Sequence, residues 1–308
     1  MTTPTIAPVS ALERQFARFA EVHGEMPSPR ARDDYPGVTS YYDVIYAEVV
    51  GFRPLVLDLH IPKSDGPHPV ALWVHGGGWQ GGARAVGHAT DLARHGYAVA
   101  AAQYRLSGEA KFPAQVHDLK GALRWLRANA SAYALDADHV AAWGASAGAF
   151  LVSLVGLTAE QADWEGEVGG NLDQSSSVQA VVNYFMLSDL VALASPTGDA
   201  PLDVMATSLL GYSVRQRPEA GYEASPIGQI RKSSPPFLLL HGDADPLVPI
   251  AQSQVFHAAL AEAGAECQLI SVPGAIHEDA AFWSEQVLGE VRTFLDRTLR
   301  PGMLKHPS

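Results

Sequence analysis

The run Val140-Ala-Ala-Trp143-Gly144-Ala145-Ser146-Ala147-Gly148 decides how the rest of this 308-residue chain is read. An apolar stretch ends on a Gly-Ala-Ser-Ala-Gly pentapeptide, and residues 149–157 continue as small and apolar side chains suited to a helix. A serine on a tight strand-to-helix turn projects its hydroxyl above the sheet edge, provided its neighbours are small. The helix that begins there aims free N–H groups at developing negative charge. The pentapeptide in this setting predicts a nucleophilic Ser146; a plain glycine-rich turn is the alternative.

Working outward, Pro69-Val-Ala-Leu-Trp-Val-His75 is almost wholly apolar, as expected of a strand buried on both faces of a parallel sheet. Residues 97–104, 178–185, 236–240 and 267–272 read the same way, and 42–48 with 55–61 read as a hairpin. Helical patterns fall at 84–95, 113–130, 147–157, 250–263 and 280–298. Such alternation predicts an α/β fold, a mostly parallel sheet flanked by helices, with ligands outside the carboxyl ends of the strands. Residues 1–40 read as a short helix at 11–23 and an extended arm, 41–300 as one domain, and 301–308 as a tail. Within the domain, 188–235 is long for a connection and rich in proline, which predicts a small lid-like insertion.

Composition narrows the function classes. Apolar residues make up 47% of the chain, enough for a substantial core, and the formal charge of -12 argues against a nucleic-acid footprint. The longest apolar stretches fall short of a bilayer span. The N-terminal residues lack the basic and apolar regions of a secretory signal, so a cytoplasmic location is the default expectation. Cys267 is the single cysteine, which rules out an internal disulfide, and it reads as a small filler on its strand. No compact metal motif and no nucleotide-binding glycine pattern occurs, so neither a metal nor another cofactor is expected. Homo-oligomerisation stays open.

Three further turns carry chemistry. His75-Gly-Gly-Gly-Trp79 follows a buried strand, and its glycines allow main-chain N–H groups to approach a reacting oxygen closely. Gly77, Gly78 and Ala147 are the expected oxyanion donors, with His75 holding the loop. His241-Gly-Asp243-Ala-Asp245 follows another strand; either aspartate qualifies as the acid, while the other braces the turn. His277, in Pro273-Gly-Ala-Ile-His277-Glu278, stands after the last strand and is the expected base. Trp79 either lines the pocket or anchors its loop. Phe185, Met186 and Leu187 either wall the site or belong to the core.

Together His75 to Trp79, Tyr104-Arg-Leu106, Gly144 to Gly148, Ala224-Ser-Pro226, His241 to Asp245 and Gly274 to His277 resemble the small esterases of the α/β-hydrolase superfamily. The resemblance is to the acetyl- and feruloyl-esterase-like group near the hormone-sensitive-lipase branch, over about residues 40–300. It implies an α/β-hydrolase fold and a triad of Ser146, Asp245 and His277, and it selects Asp245 over Asp243. It also implies hydrolysis of small carboxylic esters through an acyl-enzyme, with short acyl groups expected. Arylformamidase-like amide cleavage and a catalytically silent binding protein are the alternatives. Glu278 and Asp279 depart from the glycine and bulky apolar residue that often follow the histidine in such enzymes.

Overall fold

The computed structural model describes residues 30–84, 90–159 and 161–300. The chain divides into two units, Met1–Arg30 and Ala31–Ser308, and all that follows concerns the second. The helix expected at 11–23 and the tail at 301–308 lie outside the described residues.

Nine strands form one sheet: β1 (Ala31–Tyr35), β2 (Val38–Ala47), β3 (Leu55–Pro62), β4 (His68–Val74), β5 (Ala98–Ala102), β6 (Leu135–Ala145), β7 (Ala180–Tyr184), β8 (Phe237–Gly242) and β9 (Cys267–Val272). Their spatial order is β1-β2-β3-β5-β4-β6-β7-β8-β9. The first three are antiparallel to their neighbours, whereas β5, β4 and β6 to β9 run parallel. This is the mostly parallel sheet expected from the alternating pattern, in the α/β-hydrolase architecture that the resemblance implies. Between and after the strands lie α1 (Thr90–Arg94), α2 (Ala114–Ala128), α3 (Ala147–Leu157), α4 (Ala162–Glu165), α5 (Pro201–Leu210), α6 (Pro218–Glu223), α7 (Ala251–Glu262) and α8 (Glu285–Leu299).

Both faces of the central strands are covered, which explains why they read as unbroken apolar runs. On β4, Val70, Leu72 and Val74 enter one core with Leu119, Phe150 and Leu154. Ala71 and Trp73 alternate into the other, with Trp143, Leu240 and Phe294. Helix α3 is buried at every position, so it carries no polar stripe at all.

Several boundaries differ from expectation. The sheet begins at Ala31, because β1 pairs with β2 as an antiparallel edge; the extended arm therefore stops short of residue 40. Helix α1 covers only Thr90–Arg94 of the stretch 84–95, of which residues 85–89 are outside the described residues. The helix expected at 280–298 is two elements. Asp279 caps a 3-10 turn at Ala280–Trp283, and Ser284 then interrupts it and caps α8 by accepting from the Val287 N–H. Cys267 is half-buried on the edge strand β9 and packs against the core there, as a small filler does. The insertion at 188–235 holds α5, α6 and a 3-10 turn at Pro226–Gln229; Pro201 and Pro218 open its two helices, where a missing N–H costs nothing.

Candidate active site

The parallel register places all the chemistry on one edge of the sheet. Val74 pairs with Gly144, Ala145 with Tyr184, Tyr184 with Leu240, and Gly242 with Val272. The strand ends are therefore level, and the four turns that follow β4, β6, β8 and β9 emerge side by side. Strand β4 lies between β5 and β6, so the chain leaves it in one direction and returns on its other side. Such a switch point opens a crevice at the strand ends.

Ser146 sits on the turn from β6 to α3 at φ 53, ψ -121, a conformation unfavourable for a residue with a Cβ. Its N–H donates to the Tyr184 carbonyl at 2.9 Å, which fixes the turn against β7. The flanking glycines are required by contact. A Cβ on Gly144 would stand 2.6 Å from Gly148 backbone, and one on Gly148 would stand 2.2 Å from the Val74 carbonyl oxygen.

His277 connects the serine to an acid. Its Nε2 lies 3.0 Å from Ser146 Oγ and its Nδ1 lies 2.7 Å from Asp245 Oδ2. With the proton on Nδ1 donated to the carboxylate, Nε2 is free to accept the serine proton. Asp245 is buried, and burial alone would raise its pKa. Its pKa nevertheless lies well below the ordinary carboxylate range, because His241, His277 and the Val248 N–H stand around it as hydrogen-bonding groups and the His277 charge adds to them. Its Oδ1 accepts from the Leu247 and Val248 N–H groups at 2.8 and 2.9 Å. His241 Nε2 stands 3.5 Å from Asp245 Oδ2, but its shorter contact, 2.8 Å, is donation to the Val248 carbonyl.

Asp243, the competing aspartate, is turned elsewhere and accepts from the Gly274 N–H at 2.6 Å. It ties the β8 turn to the His277 turn, the bracing role open to either aspartate in the sequence.

Gly77 and Gly78 adopt φ +106 and +59 in the turn after β4, and Ala147 opens α3. The N–H groups of all three have no partner among the described residues, and all three residues border one cavity with Ser146 and His277. His75 is stacked on Tyr104, with ring centroids 4.7 Å apart, and its Nδ1 bonds the Gly76 carbonyl at 2.8 Å. Burial pushes the His75 pKa below the usual histidine range, so the ring is a neutral strut under the glycine loop.

The cavity has a volume of about 180 Å³, and its further walls are Leu187, Leu202, Met205, Leu247 and Glu278. Leu187 thus borders the cavity that Ser146 faces. Trp79 also borders the cavity but is wholly buried, edge-on to Phe150, with its Nε1 donating to the Ala147 carbonyl at 3.2 Å. It is both wall and anchor. Met186 is a correction: it belongs to the buried core and borders neither chamber. Phe185 lies against His277 at 4.6 Å between ring centroids and borders a second chamber instead. Leu202 and Met205 come from α5, in the insertion, where no sequence periodicity marked them for the site. Among the described residues no three His, Cys, Asp or Glu side chains are grouped to hold a metal ion. Nor is any helix there long and apolar enough to cross a membrane.

Comparison with known proteins bears on the family and the fold. Residues 57–260 match the BD-FAE family. Esterase LipC of Mycobacterium tuberculosis is 32% identical over 215 residues, covering 68% of this chain and 53% of that protein. The chain spans about half the length of the curated relatives it matches. A truncated carbohydrate esterase from gut microbiota superposes with TM-score 0.78 at 28% identity, over 89% of this chain and 100% of that one. The thermophilic esterase Est2 of Thermogutta terrifontis gives TM-score 0.69 at 25% identity, over 90% and 96%. With its fold and most of its sheet matched in this way, the chain belongs to the BD-FAE family and has the α/β-hydrolase fold.

Proposed function

We propose that this protein hydrolyses small carboxylic esters by a covalent serine mechanism. The carrying observation is the unbroken contact Ser146 Oγ, His277 Nε2, His277 Nδ1, Asp245 Oδ2 at 3.0 and 2.7 Å. His277 takes the Ser146 proton as Oγ attacks the ester carbonyl, and Asp245 holds the imidazole tautomer and stabilises the imidazolium. The tetrahedral oxyanion is met by the N–H groups of Gly77, Gly78 and Ala147, donors fixed before the reaction starts. His277 then protonates the departing alcohol, and water repeats the sequence to release the acid.

The 180 Å³ cavity with Leu187, Leu202, Met205 and Leu247 in its wall supports an acyl site for short chains. Esterase relatives and neighbours support the same reaction class. A panel of p-nitrophenyl esters tests the reading. Turnover of acetate and butyrate esters that disappears in Ser146→Ala is the expected result; turnover unchanged by that substitution overturns it.

A further inference from the structure

Helix α5 supplies Leu202 and Met205 to the cavity beside Ser146, so whatever seats that helix sets the depth of the cavity. A helix leaves its last carbonyls without donors of its own. At the end of α5 the Gly211 N–H serves the Thr207 carbonyl at 2.9 Å, and the next two carbonyls are met from outside the insertion. Lys111 Nζ donates to the Ser208 carbonyl at 2.6 Å, and the Phe112 N–H donates to the Leu209 carbonyl at 3.0 Å. The Lys111 stem lies along Gly211, where an added Cβ would stand 3.7 Å from its Cγ. A cation at this point also faces the negative end of the helix dipole. Lys111 has no carboxylate partner among the described residues, and both its hydrogen bonds go to carbonyls.

The second of those carbonyls belongs to Ser107, at 2.9 Å. Ser107 is buried and joins two structures at once. Its Oγ lies 3.0 Å from Ser208 Oγ on α5, and its N–H donates to the Trp79 carbonyl of the glycine loop at 2.8 Å. Trp79 has φ 59, a conformation that a residue with a Cβ keeps only where its surroundings hold it. It follows Gly78 directly, and its Nε1 donates to the carbonyl of Ala147. The bond to Ser107 therefore bears on the residue that stands between two of the oxyanion donors. Among the described residues, the hydrogen bonds from α5 to chain outside the insertion all go to Ser107, Lys111 and Phe112.

Resting on the ester-hydrolase reading, we propose that Lys111 is a positioning residue that latches α5 to the oxyanion loop through Ser107. One latch then sets both the acyl length the cavity accepts and the geometry of the oxyanion donors. Met205 is where the two effects meet, since its Sδ would stand 2.6 Å from a Cβ on Gly78.

Lys111→Met removes the ammonium and keeps the stem, and Lys111→Arg keeps a cationic donor. The readout is kcat/KM for p-nitrophenyl acetate and octanoate, well below the thermal midpoint. Lys111→Met should lower the acetate-to-octanoate ratio about fivefold, the scale of a charge at a helix end, and lower kcat on acetate with little change in KM. Lys111→Arg should restore most of both. An unchanged ratio in Lys111→Met, with only a lower thermal midpoint, marks a plain helix cap and overturns the proposal. Hydrogen exchange reads the latch without the reaction. In Lys111→Met, exchange should quicken together in peptides covering 201–211 and 76–82; quickening confined to 201–211 contradicts the coupling. If Lys111→Met does not fold, Ser208→Ala, which removes only the hydroxyl link to Ser107, is read by the same exchange, and no change in either peptide overturns the proposal. If wild type does not turn over p-nitrophenyl acetate, the hydrolase reading fails while the exchange measurement still decides the latch.

Discussion

Gly242 lies so close to Ala275 that a Cβ added to it would stand 2.2 Å from the Ala275 carbonyl oxygen. The same carbonyl accepts from the Ala244 N–H at 3.2 Å, so the turn after β8 and the turn after β9 are pressed together by backbone. This approach sets the distance between Asp245 on one turn and His277 on the other. Gly242→Ala should therefore separate acid from base. The expected outcome is a fall in kcat of at least about tenfold, with a smaller change in KM, because misplacing a catalytic group by a fraction of an ångström is expensive. Steady-state kinetics on p-nitrophenyl acetate checks it; wild-type kcat in a folded variant contradicts it.

Asp245→Asn removes the charge while keeping the shape. It also presents an amide that favours the wrong histidine tautomer. On the proposed mechanism a loss of about 10⁴ in kcat is expected, the scale seen when the triad acid of a serine protease is neutralised. The pH dependence of stability carries a second signature. Because the native pKa of Asp245 is depressed, its contribution is complete above the ordinary carboxylate value near 4 and is lost as pH falls through the lower native value. Thermal midpoints measured from about pH 5 to pH 2 should fall less steeply in Asp245→Asn than in wild type.

His60 supplies a sensor well away from the site. It is fully buried under the edge strands, its Nδ1 is bonded to Ser40 Oγ at 2.8 Å, and burial lowers its pKa to about 4. An unfolded histidine takes up its proton near pH 6.5, so the unfolded chain binds more protons between there and about 4. Stability is full above that window and declines as pH falls through it, by roughly 3 kcal/mol for this residue. His60→Gln should flatten that part of the curve in urea titrations at pH 7, 6 and 5. A slope identical to wild type contradicts the assignment.

Met205 is the side chain most able to set acyl length. It reaches from α5 toward the glycine loop, where a Cβ on Gly78 would meet its Sδ at 2.6 Å. Met205→Ala should enlarge the cavity and move the optimum of a p-nitrophenyl acetate-to-decanoate series to longer chains. Each methylene gained contributes about 0.8 kcal/mol at most, so the shift should be gradual. An unmoved optimum places the acyl group elsewhere.

Why some of this was readable from the chain and some was not follows from where the information resides. Strands buried on both faces leave continuous apolar runs, so β4, β7 and β8 were legible, as was the turn at Ser146 with its small neighbours. The choice between Asp243 and Asp245 came from the family resemblance alone, because both follow β8 within three residues and only the packing of the β9 turn separates their partners. Leu202 and Met205 lie on an insertion helix whose docking depends on distant contacts, and nothing local announces them. Met186 read as either wall or core because it follows β7 just before the insertion; adjacent residues in an irregular turn point different ways, and its side chain went to the core. Glu278 was conspicuous as an acid beside His277, but its strained backbone and its place between two chambers are properties of the folded turn.

In the proposed reaction Ser146 forms the covalent bond to the acyl group. Incubation with a fluorophosphonate probe, followed by peptide mass mapping, measures that bond directly. A single stoichiometric adduct on Ser146 is expected, abolished in Ser146→Ala and slowed strongly in His277→Ala. An adduct on another residue, or a folded protein that hydrolyses esters yet takes no label at Ser146, would contradict it.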